Sequence, residues 1–273
     1  MLNQDIASTK PVLTSRGFAL PLPITLAVSA QWHDFAKKSD WLVEQGFSLE
    51  YTPDAGNLNQ TAGQLAGYIA AGARIRHHGY FPGYEIGDSR SNRAEEAMQL
   101  HFQALDAIRG IGEQHITVHV GLVADIELNH AHVVANLRRL VEYGRHHGIT
   151  VSLENLRFGP TSNPETVLEW TQKTGAKITL DIGHAVSCSR VVHNEMNVPQ
   201  IIDLFSQDLV EVHFYESETD RHHAPQDMRI LGPIVDRLLS TECTWWTIEL
   251  DAHEEILRTR DLISDYLEFP THQ

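Results

Sequence analysis

The stretch Val210–His223, Val-Glu-Val-His-Phe-Tyr-Glu-Ser-Glu-Thr-Asp-Arg-His-His, runs from an apolar strand into a loop crowded with side chains that can bind metals. His213 sits among strand-forming residues, where a lone imidazole needs a buried partner or a cation that takes its neutral nitrogen directly. Asp220 and His222 follow two residues apart. In extended chain that spacing points a carboxylate and an imidazole to the same side, suited to two-point capture of a divalent ion. Similar residues recur near the ends of other apolar runs: His77 or His78, His119, Glu154, Asp181 with His184, and Glu249. Gathered at one place, so many imidazoles and carboxylates are costly to bury without cations to offset them.

The elements that must position them alternate along the chain. Strands are expected at Ile24–Ser29, Phe47–Tyr51, Ala73–His78, His115–Leu122, Ile149–Asn155, Lys177–Asp181, Leu209–Tyr215 and Trp246–Leu250, each followed by a helical pattern. In the segment Asn92–Arg109, for example, Ala97, Leu100, Ala104, Leu105 and Ile108 recur at helical spacing before Gly110. Strict strand–helix alternation demands a parallel sheet, because each crossover helix returns the chain to start the next strand in the same direction. Eight units close most simply as a single (β/α)8 TIM barrel spanning residues 24–273, with residues 1–23, which carry Pro11 and Pro21, as an irregular arm. An open doubly wound sheet is the alternative, weakened by the lack of a Gly-rich phosphate turn after the first strand. In a barrel, the strand C-termini converge on one mouth and bring all the candidate ligands together.

Composition narrows the chemistry. The chain has 273 residues, of which 21 are basic and 36 acidic, giving a formal charge of −15 with His neutral. That balance argues against non-specific binding to nucleic acid or to an anionic membrane. Sixteen of the basic residues are Arg, and Arg157, Arg190, Arg221 and Arg229 fall in loops at the expected mouth, so a small anionic substrate is expected. Two Cys, Cys188 and Cys243, give no disulfide framework and fit a reducing, cytoplasmic setting. Met1-Leu-Asn-Gln-Asp5 carries neither a basic region nor an apolar run and no stretch has about 18 consecutive apolar residues, so a soluble protein without an export signal is expected. Mixed nitrogen and oxygen donors without Cys suit zinc first, with manganese or iron(II) as alternatives.

The motifs His77-His-Gly-Tyr80, Val118-His119-Val-Gly121, Ser152-Leu-Glu154-Asn155, Leu180-Asp181-Ile-Gly-His184, Val212-His213, Asp220-Arg-His222 and Ile248-Glu249 resemble those of the xylose isomerase-like barrels. That family includes sugar isomerases and epimerases and the endonuclease IV type of DNA-repair enzyme, and the resemblance covers roughly residues 24–267. It favours His77 over His78, because the family's first histidine stands three residues before a Tyr. The resemblance implies one metal held by Glu154, Asp181, His213 and Glu249 in the isomerase branch. In the endonuclease branch it implies up to three, held by His77, His119, Glu154, Asp181, His184, His213, Asp220, His222 and Glu249. The chain departs from the endonuclease pattern in a shorter loop between His213 and Asp220 and in Ala224-Pro-Gln-Asp227, which lacks a Gly-rich continuation. DNA is therefore not the favoured substrate, although Tyr80 and Phe81 could stack on a base.

Two functions follow as expectations. The first is a multinuclear hydrolase of a phosphate ester or other small anion, in which bound cations activate water and offset charge on the leaving oxygen. The alternative is a sugar or sugar-phosphate isomerase or epimerase with one metal, in which Glu154 and Glu249 transfer a proton on opposite faces of the substrate. In either case Glu154 and Glu249 are the candidate catalytic pair. Tyr80, Phe81, Asn155, Arg157 and Arg221 are the candidate substrate contacts, and Asn155 is also placed to orient the ligand that precedes it.

Overall fold

The computed structural model describes residues 24–268. The expected arm, residues 1–23, lies outside them. Seven parallel strands come first: β1 (Thr25–Gln31), β2 (Ser48–Thr52), β3 (Ile75–Gly79), β4 (His115–Val118), β5 (Thr150–Glu154), β6 (Lys177–Asp181) and β7 (Leu209–Phe214). A two-residue antiparallel pair, β8 (Ser217–Glu218) and β9 (His222–His223), follows, and then β10 (Trp245–Ile248). Strands β1–β7 and β10 hydrogen-bond in the cyclic order β1-β10-β7-β6-β5-β4-β3-β2, and β2 pairs back to β1. This is a single closed (β/α)8 barrel with helices between the strands. No described helix is long and apolar enough to cross a membrane.

The helices begin and end where local chemistry dictates. Helix Trp32–Gln45 stops at Gly46, which takes the left-handed conformation at φ 73° and returns its N–H to Leu42 and Val43. Asn129 starts helix His130–His146 by accepting from the N–H groups of Ala131 and His132. Asn197 and Gln200 form a reciprocal capping box at the start of Val198–Phe205. After β6, where a single crossover helix was expected, the chain first makes two short helices, Ile182–Ser187 and Ser189–Val192.

The strands turn mostly apolar residues toward the helices and mostly polar ones into the barrel. Leu49, Ile75, Ile116, Leu153, Leu180, Val212 and Ile248 belong to the main apolar core. The inward row is identified by contacts between strands that are not neighbours: Arg76 on β3 reaches Glu211 on β7 at 3.1 Å, and Glu50 on β2 reaches His213 on β7 at 3.1 Å. The lower barrel interior is a closed polar network. Glu211 accepts from Arg76 and from Thr247 at 2.7 Å and meets His115 Nδ1 at 3.1 Å, while the Arg76 guanidinium lies 4.5 Å from the Trp245 ring. Beside it Thr117, Ser152 and Thr179 share hydroxyl hydrogen bonds of 2.7–3.4 Å. A barrel interior of this kind is usually filled with branched apolar side chains. Here it is a polar pedestal beneath the mouth.

Candidate metal centre

On the pedestal stand Glu50, His78, His119, Glu154, Asp181, His213 and Glu249. The first six are buried, at 0–8% exposure. The alternation of β3 decides which histidine joins them. His77 is paired in register with Tyr51 and Ile116, both in the apolar core that faces the helices, and its Nε2 meets the Ile111 carbonyl at 3.0 Å. The expectation of His77 as a ligand is therefore corrected: the neighbouring His78 turns inward. Its Nε2 lies 3.3 Å from both His119 Nε2 and Glu154 Oε2, and His119 Nε2 is 3.1 Å from the same oxygen.

Among the described residues five trios of donors have ligand atoms within 4.8 Å of one another: His78–His119–Glu154, Asp181–His213–Glu249, His184–Glu218–His222, Glu154–Asp181–His184 and Glu50–Glu211–His213. Glu154 links the first two, because its Oε2 is also 3.4 Å from His213 Nδ1, which in turn is 3.2 Å from Glu249. Glu154 Oε2 and His213 Nδ1 are both buried without a hydrogen-bond partner. Nitrogen lone pairs converging on unpaired carboxylate oxygens are the arrangement a divalent cation would satisfy, so the donor set fits a metal. Without one, protons must take its place. Burial alone would lower His213, but the carboxylates of Glu50, Glu154 and Glu249 hold its imidazole well above the usual range. Burial likewise works against charge on His184, and Asp181 and Glu218 overcome it, raising its pKa to about 10. Burial pushes the Asp181 carboxyl up to about 6, helped by the negative charges of Glu154 and Glu249.

The third trio departs from expectation. Asp220 and His222 were paired on their spacing in extended chain, but the chain turns between β8 and β9. Glu218 stands directly opposite His222 in that ladder, and Asp220 falls at the exposed tip, where its carboxylate accepts from the Thr219 hydroxyl at 2.8 Å. Cross-strand partners share a face, so Glu218 is the carboxylate brought to His222 and His184. Its Oε2 lies 3.1 Å from His184 Nε2. Tyr215 holds this side of the mouth together: its hydroxyl donates to Asp181 at 3.0 Å and its ring stacks on His222 with centroids 4.0 Å apart. Gly183 makes room for that ring, because a Cβ there would fall 1.9 Å from Tyr215 Cε2.

The expected substrate contacts divide. Tyr80, Arg157 and Arg221 line a cavity of about 590 Å³ above the cluster, together with His78, Glu154, His184, His222 and Glu249. Arg157 donates to the carbonyls of Glu218 and Thr219 and so braces the β8–β9 turn, and Arg221 faces Glu255 at 3.6 Å. Asn155 holds the backbone of Asp181. Its amide donates to the Asp181 carbonyl at 3.0 Å and its oxygen accepts the Asp181 N–H at 2.9 Å. Phe81 is corrected: it is buried against Leu100 and Ala104, its ring meets His101 edge-on at 5.3 Å, and it does not line this cavity.

His101 gives a testable pH dependence. Burial pushes its pKa down to about 4 from the ordinary 6.5, so between these values the unfolded chain binds the proton that the native chain refuses. A lowered pKa contributes stability that is full above pH 6.5 and is lost as pH falls toward 4. The wild type should therefore lose about 2 kcal/mol more than His101→Asn between pH 7.5 and pH 5. Urea unfolding at the two pH values measures this, and equal losses would remove the assignment.

The chain belongs to the xylose isomerase-like TIM barrel family, whose model matches residues 45–267. It is 32% identical over 158 residues to an uncharacterized protein of Methanocaldococcus jannaschii, a match covering 58% of this chain and 68% of that one. Among solved structures it resembles a D-tagatose 3-epimerase-like protein with a TM-score of 0.73 at 17% identity, over 90% of this chain and 97% of that one. It also resembles an L-ribulose 3-epimerase (TM-score 0.66, 15% identity, 89% and 91% covered). A Thermus thermophilus protein soaked with zinc chloride matches at a TM-score of 0.69 and 15% identity, over 89% of this chain and 99% of that one.

Proposed function

We propose that this protein is a divalent-metal-dependent epimerase or isomerase of a small sugar-like substrate, with Glu154 and Glu249 as the proton-transferring pair. The observation that carries the reading is the placement of those two carboxylates. Glu154 ends β5 and Glu249 follows β10, with β6 and β7 between them in the barrel. They reach in from either side to the same ring nitrogen, His213 Nδ1, at 3.4 and 3.2 Å. Inverting a carbon beside a carbonyl requires a proton to leave one face and another to arrive on the opposite face, which two carboxylates flanking one point can do. Asp181, His213, Glu154 and Glu249 would hold the metal, which supplies polarisation of the substrate's carbonyl and adjacent hydroxyl oxygens. The cavity walls suit a neutral polyol better than the small anion expected from the Arg count. Asp34, Glu218, Asp220 and Asp251 line it beside Lys38, Arg157 and Arg221, and Lys38 is already paired with Asp34 at 3.0 Å. The epimerases among the structural neighbours support the same direction.

The test is incubation of metal-loaded protein with ketoses, D-tagatose, L-ribulose and D-allulose included, in D2O. Deuterium should appear at the carbon beside the carbonyl together with the epimer or aldose, read by NMR. Lack of exchange with cleavage of a phosphate ester would favour a second reading, a multinuclear hydrolase. That reading draws on the two additional trios, His78–His119–Glu154 and His184–Glu218–His222, which a single-metal isomerase does not require.

A further inference from the structure

We propose that Glu50 is a positioning residue that serves two trios at once, holding His213 and His78 so that each ring presents its other nitrogen to the metal side. This deepens the function proposed above and rests on it to the extent that a divalent ion binds. Glu50 lies on the inward row of β2, two residues before the strand's last residue, is fully buried, and has no Lys or Arg nitrogen within 4.0 Å among the described residues. Glu211, one layer lower, shows what a satisfied buried carboxylate looks like here, with Arg76, His115 and Thr247 around it. Glu50 has only imidazoles. Its Oε1 lies 3.1 Å from His213 Nε2, and its Oε2, which lacks a hydrogen-bond partner, lies 3.7 Å from His78 Nδ1.

The far side of each ring gives the arrangement its purpose. His213 Nδ1 and His78 Nε2 both point at Glu154 Oε2, at 3.4 and 3.3 Å, yet the two histidines belong to different trios. A neutral imidazole that donates one N–H to a carboxylate presents the other nitrogen as a lone pair, the form a cation binds, and the carboxylate also fixes the ring plane. An unpaired buried carboxylate is expensive to keep. Glu50 makes sense where it stands because it backs both rings from below.

The test uses Glu50→Leu, which removes the acceptor at similar size, and Glu50→Gln, whose amide oxygen can still accept from His213. Affinity for Zn2+ and for Mn2+ is read by competition with a chromogenic chelator. In Zn2+-loaded protein the His213 Nε2 proton is followed as an exchange-protected downfield NMR resonance. Glu50→Leu should bind about 10–100-fold more weakly and lose that resonance, as expected for loss of a carboxylate behind a metal-bound histidine. Glu50→Gln should keep the resonance, shifted, and most of the affinity. Wild-type affinity in folded Glu50→Leu would overturn the assignment, as would a Glu50→Gln protein with no His213 Nε2 resonance; should Glu50→Leu fail to fold, Glu50→Gln decides alone. A wild-type chain that binds neither ion would instead bring down the proposed function and this inference with it.

Discussion

Glu154→Gln should lower turnover by about 10³-fold or more, the upper range for a residue that moves a proton, and weaken metal binding as well. Glu154 bridges two trios. Its Oε2 faces His78, His119 and His213 at 3.1–3.4 Å, and Oε1 lies 3.6 Å from His184 Nδ1. Glutamine keeps the volume but removes the negative charge and places N–H groups among nitrogens that are to present lone pairs. Both proton transfer and metal retention therefore fail together. Glu249→Gln provides the comparison. Glu249 belongs to one trio only, beside Asp181 and His213, so its replacement should lower turnover as severely while retaining more of the metal affinity. Steady-state kinetics with metal content measured on the same samples separates the two variants. Turnover within about 10-fold of wild type in Glu154→Gln would remove Glu154 from the proton-transfer role.

The part of this site that was readable in sequence follows from strand parity and its limits. Glu154, Asp181, His213 and Glu249 stand at or just past strand C-termini, where closure of the barrel fixes both height and direction. The same parity could have separated His78 from His77. Ile75 faces the helices, so His77 two residues later must face them too, and the His78 between turns inward. The Tyr80 spacing pointed the other way because a motif distance carries no information about the face. Glu50 could be read as an inward carboxylate near the end of β2, but its bond to His213 crosses 163 positions of sequence and local pattern does not show it. Glu218 was hidden by a turn. The rule that residues two apart share a side holds only while the chain stays extended, and here a chain reversal sets Glu218, not Asp220, opposite His222. Phe81 looked like a mouth residue because it follows Tyr80, yet the apolar pair Leu100 and Ala104 gives it a place to be buried.

Removing divalent metal should destabilise the protein strongly, and the number of ions restored should separate the two functional readings. The mouth buries Glu50, Glu154 and Asp181 among imidazoles, and at neutral pH the metal-free chain must balance these charges with protons. A cation bound only by the native state adds stability as RT ln(1 + [M]/Kd), about 4 kcal/mol at a free concentration roughly 1,000 times Kd. For a barrel of this size that corresponds to a rise in Tm of about 8–16 °C. Chelator-stripped protein titrated with Zn2+ or Mn2+ in a thermal scan measures it, and a Tm that does not move would mean that no ion binds the native mouth. Stoichiometry then decides between mechanisms. An epimerase using Glu154, Asp181, His213 and Glu249 should saturate at one tightly held ion per chain. His222→Ala should leave that ion in place, because His222 belongs to the trio with His184 and Glu218 and is not one of the four residues that would hold it. A hydrolase that uses the flanking trios should take up two or three, and His222→Ala should lose one of them together with most of the activity, since each added cation stabilises the leaving oxygen or activates the attacking water.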